Sequence, residues 1–395
     1  MVIREAYLDK LKKLKDKQVI KVVTGVRRCG KSTLMLQFQD FLKSCGVEDS
    51  QIISINFEAI ENEYLLNYRV LYDYIMARVE PDRQTYVFLD EIQAVPDFQK
   101  AIDSLFIKDN IDIYITGSNA YMMSGELSTL LSGRYIELKM LPLSFTEYTC
   151  LIEKEPQEAW RLYFRNGGFP YAAMLDDEDI RKEYLAGIYN TVLLKDVVAR
   201  NKIQDVALLE SVIKFLFDNV GNIVSSKKIA DTLLSYGRKT SPITIESYIQ
   251  ALMDACIIYK VGRYDVKGKQ YLKSLGKYYL VDVGLRRLLL GDKSSDIGHI
   301  LENIVYLELL RRGYRVSIGK IDDLEIDFVA ENGSDKFYYQ VAASVLDENT
   351  FAREIKPLKK IADNYPKYII SMDSFSVNED GIKQINVVDF LSDNK

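Results

Sequence analysis

Val19-Ile20-Lys21-Val22-Val23-Thr24-Gly25-Val26-Arg27-Arg28-Cys29-Gly30-Lys31-Ser32-Thr33-Leu34 decides how the N-terminal third of the chain is read. The run up to Thr24 is short, β-branched and closed by glycine, which is the pattern of a buried strand. Gly25 to Ser32 then matches GxxxxGK[ST] at every fixed position, and residues 33–42 carry apolar side chains at helical spacing. Strand, glycine loop, helix is the frame that gives this motif meaning. The glycines let backbone N–H groups turn inward around phosphate oxygens, and the helix N-terminus adds a favourable dipole. The cradle comprises Gly25, Val26, Arg27, Arg28, Cys29, Gly30, Lys31, Ser32 and Thr33. In it Lys31 is expected to meet the β- and γ-phosphates, and Ser32 to coordinate magnesium.

A phosphate loop needs carboxylates to hold the metal and a water. Tyr86-Val87-Phe88-Leu89-Asp90-Glu91 supplies an apolar strand ending in two of them. Asp90 is expected to hold magnesium through a water, and Glu91 to orient and polarise the attacking water. Adjacent carboxylates suit water attack better than transfer to a bulky acceptor, so ATP hydrolysis is preferred over a small-molecule kinase. The strand Ile111 to Thr116 ends in Gly117-Ser118-Asn119, where a polar side chain would sense the γ-phosphate. Ser118 and Asn119 are both candidates, Asn119 the preferred one, with a helix cap or turn as the plainer reading. Arg134 stands directly before the strand Tyr135 to Leu141. Its spacing fits either an arginine finger reaching a neighbour's phosphate or a surface residue. Together with residues 51–57, these strands predict an α/β fold: a parallel sheet with helices on both faces and ligand at the carboxyl strand ends.

Composition narrows the alternatives. The 395 residues are 48% apolar with a net charge of −5, so the chain is expected to be soluble, with several domains and no gross basic field. No run approaches the ~18 apolar residues of a membrane span, and the N-terminus lacks a secretory pattern. The four cysteines form no CxxC pair, which fits a reducing cytoplasm. His299 is the only histidine, which argues against a Ser-His-Asp triad.

Further along, residues 160–201 read as helical and charged, a lid. Helices over 208–220, 225–234 and 243–257, then short strands over 258–261, 270–272 and 277–281, spell a winged helix. Its third helix carries only Glu246 and Asp254 and is a poor partner for DNA. Residues 260–287 hold eight basic side chains: Lys260, Arg263, Lys267, Lys269, Lys273, Lys277, Arg286 and Arg287. This hairpin therefore suits either non-specific contact with DNA or packing between domains. In the last segment, Glu302 on a helix, Asp327 on a strand and Gln340-Val341-Ala342 on the next follow the layout of a metal-dependent nuclease. The third carboxylate and the lysine are missing there, so cleavage is expected to be absent or very slow.

Thr24 to Ser32, Phe88-Leu89-Asp90-Glu91-Ile92-Gln93, Thr116 to Asn119, Leu131-Ser132-Gly133-Arg134 and Leu141-Pro142-Leu143-Ser144-Phe145 together resemble the prokaryotic AAA+ ATPases of the archaeal-ATPase type with a C-terminal domain of unknown function. That resemblance implies an AAA+ core (1–158), a helical lid (159–205), a winged helix (206–290) and a restriction-endonuclease-like domain (291–395), catalytically degenerate here. It implies ATP and Mg2+ as cofactors and at least transient homo-oligomers, with Arg134 as the finger. DNA or a protein is the further partner. Pro170, in Gly167-Gly168-Phe169-Pro170, is implied to lie near the adenine, an ordinary loop proline being the alternative. Cys29 departs from the small residue, often serine, that is common there. A thiol beside a helix N-terminus and Lys31 is either easily oxidised or simply a tolerated small residue.

Overall fold

The structure is a computed structural model describing residues 2–118, 133–292 and 296–393, so the expectation for Asn119 lies outside the described residues. The chain divides into two units, Met1–Met140 with Asp254–Cys256, and Leu141–Met253 with Ile257–Lys395. Among the described residues no helix is long and apolar enough to cross a membrane.

The first unit is built on five strands: β1 Ile20–Thr24, β2 Ile52–Asn56, β3 Thr85–Asp90, β4 Ile111–Gly117 and β5 Tyr135–Lys139. They lie in the order β2-β3-β4-β1-β5, all parallel. β1 and β4 are buried along their whole length, and β3 up to its last residue, as expected of a sheet covered on both faces. Val22, Leu89, Ile113 and Ile115 share one apolar core with Leu71, Ile75 and Ile102 from the covering helices Tyr68–Met76 and Phe98–Phe106. The chain leaves β1 toward β2 and later returns from β4, across β1, to β5. The carboxyl end of β1 is therefore the switch point of the sheet, where ligands of such folds lie.

The second unit begins with an aromatic cluster. Phe145 and Tyr148 on the helix Phe145–Ile152 meet Trp160 and Tyr163 on the helix Pro156–Asn166, ring centroids 5.2–6.0 Å apart. This packing draws the unit boundary to Met140/Leu141, ahead of the 158/159 position expected from the sequence. The predicted lid is helical as far as Arg200, with the wider i→i+5 winding over Val192–Ala199.

Next come the helix Val206–Asp218, β6 Ile223–Val224, helices Ser226–Ser235 and Pro242–Asp254, β7 Ile258–Asp265 and β8 Gln270–Leu280. Ser225 caps the second helix through the Lys228 N–H, and Ser241 caps the third through that of Thr244. The helix Ile297–Arg311 then leads to β9 Arg315–Ile321, β10 Leu324–Asn332, β11 Asp335–Val341, β12 Lys367–Ser371, β13 Asn378–Glu379 and β14 Ile382–Asn386. All nine strands from β6 to β14 form one sheet, because Arg263, Tyr264 and Asp265 of β7 pair in parallel with Ile318, Gly319 and Lys320 of β9. Hydrogen bonds thus cross the boundary expected at 290/291. The strand expected over 258–261 runs on to Asp265, and those expected over 270–272 and 277–281 are one continuous strand, β8. Which edge would pair with which is a long-range fact that alternation cannot carry.

Candidate functional site

The loop after β1 is shaped by glycine where no other residue fits. Gly25 has φ 151°, and a Cβ there would lie 2.2 Å from the Met140 carbonyl oxygen. Gly30, with φ 104°, caps the helix Lys31–Ser44 in a left-handed conformation. Lys31 is buried, and its ammonium donates to the carbonyls of Gly25 at 3.0 Å and Val26 at 3.3 Å. From below, the buried Arg4 donates from Nη1 to the Cys29 carbonyl at 2.9 Å. Nothing in the sequence singled out Arg4. It belongs to the loop only because the N-terminal helix Glu5–Leu14 folds beside it. Cys29 is fully buried, with its Sγ facing the Met140 carbonyl. Burial pushes its thiol up despite Lys31 and Arg4 nearby, which removes the easily-oxidised reading in favour of a small packed residue.

Across from the loop, β3 ends in Asp90 and Glu91. Thr116 at the end of β4 hydrogen-bonds both: its hydroxyl donates to Asp90 Oδ1 and accepts the Glu91 N–H at 2.9 Å. The Thr116 and Ser32 hydroxyls favour the ionised form of Asp90, but burial outweighs them and pushes its carboxyl up. Glu91 has the left-handed backbone φ 56°, ψ 44°, which turns its side chain back toward the loop. Its carboxylate accepts from Ser118 Oγ at 2.8 Å and from Gln93 Nε2, and lies 3.5 Å from the Lys31 ammonium. Burial opposes ionisation of Glu91, but Lys31, Gln93 and Ser118 outweigh it and hold the carboxyl below its usual range. Lys31, Ser32, Asp90, Glu91 and Ser118 are thus brought together at one sheet edge. Thr116 and Gln93 join them, residues whose strand-end position and motif were in view but whose contacts were not.

Other expected residues lie elsewhere. Arg134 is exposed at the start of β5, its carbonyl taking the N–H of Ile20 and its guanidinium 5.5 Å above the Phe106 ring. That is the far edge of the sheet, about 15 Å along a five-residue strand from the loop of its own chain. Arg27 reaches out to Glu58 at 2.6 Å. Arg28 has the left-handed φ 66°. Pro170 belongs to the second unit, where it opens the short helix Pro170–Ala173. There the preceding Gly168 donates its N–H to the buried Asp282 at 2.6 Å.

Residues 17–149 match the AAA domain family, and residues 157–296 match a domain of unknown function, DUF8612. An uncharacterized protein of Haemophilus influenzae is 42% identical over 99% of this chain and 98% of its own length. The uncharacterized protein MJ1544 of Methanocaldococcus jannaschii is 30% identical over 94% of this chain and 85% of its own. The chain belongs to their family, and residues 17–149 are its AAA domain. The solved Walker-type ATPase PABY2304 of Pyrococcus abyssi shares the fold at a TM-score of 0.51, covering 73% of this chain and 96% of that one at 15% identity.

Beyond the AAA domain, much of the hairpin's charge is spent on partners within the second unit. Lys277 and Arg286 are buried, and Arg286 is bound to the Phe217 carbonyl and Asp296. Lys267 pairs with Asp322, and Arg287 with Glu178 and Asp292. Tyr264, Tyr278 and Tyr279 are buried too, so four of the eight basic side chains and these three tyrosines are interior or paired. Near this hairpin Glu302 and Asp327 do meet, and both are buried. Gln340 takes no part as a ligand there. Its amide donates to Glu354 at 2.9 Å and accepts weakly from the Asp327 N–H at 3.4 Å.

Proposed function

We propose that this protein is a magnesium-dependent ATPase of the AAA class whose nucleotide state moves its C-terminal segments. The observation that carries the reading is the convergence of Lys31, Ser32, Asp90 and Glu91 at the carboxyl ends of β1 and β3. The Ser32 hydroxyl and Asp90 carboxylate are hard oxygen donors side by side, which fits magnesium held by few protein ligands beside a polyphosphate. Bound there, the metal would neutralise charge on the β- and γ-phosphates.

The residues divide the remaining work. Backbone N–H groups from Gly25 to Thr33 cradle the phosphates. Lys31 exchanges two neutral carbonyls for phosphate oxygens, which releases Glu91 from its ammonium. Glu91 then takes the proton of the attacking water, while Ser118, and Asn119 beside it in sequence, read the γ-phosphate. Arg134 serves as a finger for a neighbouring copy, a role its distance from its own loop favours. Residues 206–290 act as a winged helix and residues 291–395 as a restriction-endonuclease-like module without cleavage. Pro170 stands by the adenine. DNA or a protein is the partner moved, and the burial of Lys277 and Arg286 favours a protein.

ATP turnover on purified protein tests this. Lys31→Ala should abolish binding or turnover. Glu91→Gln should hold ATP while hydrolysis falls by roughly 100-fold or more. Full hydrolysis by Glu91→Gln would remove Glu91 from its role, and turnover independent of protein concentration would remove Arg134 from its own. Stimulation by DNA that fades with salt would return the partner to nucleic acid.

A further inference from the structure

β8 turns one lysine inward. Lys277 is buried, with its ammonium 2.8 Å from Glu302 Oε1, 2.7 Å from Glu325 Oε1 and 3.6 Å from Asp327 Oδ1. Two residues on, and so on the same face of the strand, Tyr279 donates its hydroxyl to Glu302 Oε1 at 2.5 Å. The other Asp327 oxygen accepts the Val341 N–H at 2.8 Å. Burial alone would strip the proton from such a lysine, but the three carboxylates reverse this and hold it protonated far above its ordinary range. These carboxylates come from the helix Ile297–Arg311 and from β10, whereas the lysine comes from the hairpin. A positive charge thus stands where acidic groups from separate elements converge.

We propose that Glu302, Glu325 and Asp327 form a cation site whose resident cation is the ammonium of Lys277, and that the hairpin thereby shuts the site to divalent metal. A metal would need the same oxygens drawn in to about 2.1 Å around a centre that the ammonium already fills. Gln340 is already engaged by Glu354 through its amide nitrogen and by the Asp327 N–H through its oxygen. The exclusion is one of charge as well as space. With the lysine present Glu302 and Glu325 face one internal positive charge, while burial and the neighbouring Glu302 push the Asp327 carboxyl up to about 8; without the lysine no internal cation answers the set and a divalent ion would restore the balance. The three acidic groups act as a fastener, joining hairpin, helix and sheet through one charge.

Manganese titration of nucleotide-free, full-length protein, read by the loss of the free-ion paramagnetic signal, tests this. Lys277→Met keeps the side-chain bulk and removes the charge. It should bind Mn2+ at least about tenfold more tightly than the wild type, as expected for exchanging one unit charge at contact distance. Adding Asp327→Asn should abolish the gain. The wild type and its single Asp327→Asn variant should titrate alike, since neither offers the site, and this comparison stands even where Lys277→Met does not fold. A folded Lys277→Met that binds no better than the wild type overturns the proposal. So does wild-type Mn2+ binding, or manganese-dependent nicking of DNA, that disappears with Asp327→Asn.

Discussion

Among the described residues three buried lysines face carboxylates, Lys21 with Asp112 being one, and the other two are held in opposite ways. Lys31 in the AAA domain has two carbonyl partners and stands 3.5 Å from Glu91, which has Ser118 and Gln93 as well. Lys277 in the second unit sits within 2.8 Å of two carboxylates and 3.6 Å of a third. The first lysine can leave without stranding a charge; the second cannot. A poised site and a finished fastener thus use the same residue types, and the difference lies in whether each partner has a substitute.

Stability should separate them most clearly. Lys277→Ala strands buried carboxylates, a change that costs about 3–5 kcal/mol. Lys31→Ala leaves Glu91 with two donors and loosens only the loop, so less than about 1.5 kcal/mol is expected. Urea unfolding of both variants, compared by midpoint and slope, gives the answer. Equal losses would break the contrast. Partial recovery of Lys277→Ala, but not of Lys31→Ala, on adding Mn2+ would sharpen it.

Titration gives a second contrast, of opposite sign. Glu91 is held below its usual range, so its contribution to stability is present above the ordinary glutamate value and is lost as pH falls through its folded one. Asp282 is the reverse. Burial pushes it up to about 6, against the N–H groups of Gly168, Gly284 and Leu285. Its contribution is full below the ordinary aspartate value and is lost as pH rises through about 6. From pH 4 to 7, the stability of the wild type relative to Asp282→Asn should therefore fall, by about 3 kcal/mol at most. Over the acid end of that range, its stability relative to Glu91→Gln should rise with pH. Parallel slopes would mean that the two carboxyls share one environment after all.

The same division governs what could be read from the sequence. Gly25, Gly30, Lys31, Ser32, Asp90 and Glu91 were legible because their chemistry fixes spacing along a strand, a turn and a helix start. Lys277 was counted as part of a basic hairpin, and Glu325 was only one residue of a strand. Their meeting depends on β7 pairing with β9, a contact between segments some fifty residues apart in sequence. Gln340 was read as standing where a ligand would be, yet its bond to Glu354 and the lysine's arrival from another element had no local signature.

Arg4 provides the finest test, because it is a buried cation that belongs to the poised site but to none of its motifs. Its Nη1 donates to the Cys29 carbonyl at 2.9 Å, and its backbone N–H donates to Gln37 of the helix that the loop starts. If the loop's shape comes from Gly25 and Gly30 alone, Arg4→Met should leave nucleotide affinity unchanged. If the guanidinium braces the loop from beneath, that variant should lose about 1.5 kcal/mol of stability, the scale of one charged hydrogen bond. It should also weaken ATP binding by less than about tenfold, with kcat for bound nucleotide preserved, because Arg4 touches the cradle and not the reacting water. Isothermal titration with ATP alongside single-turnover hydrolysis separates the two. A fall in the chemical step without a fall in affinity would place Arg4 with Glu91 rather than under the loop.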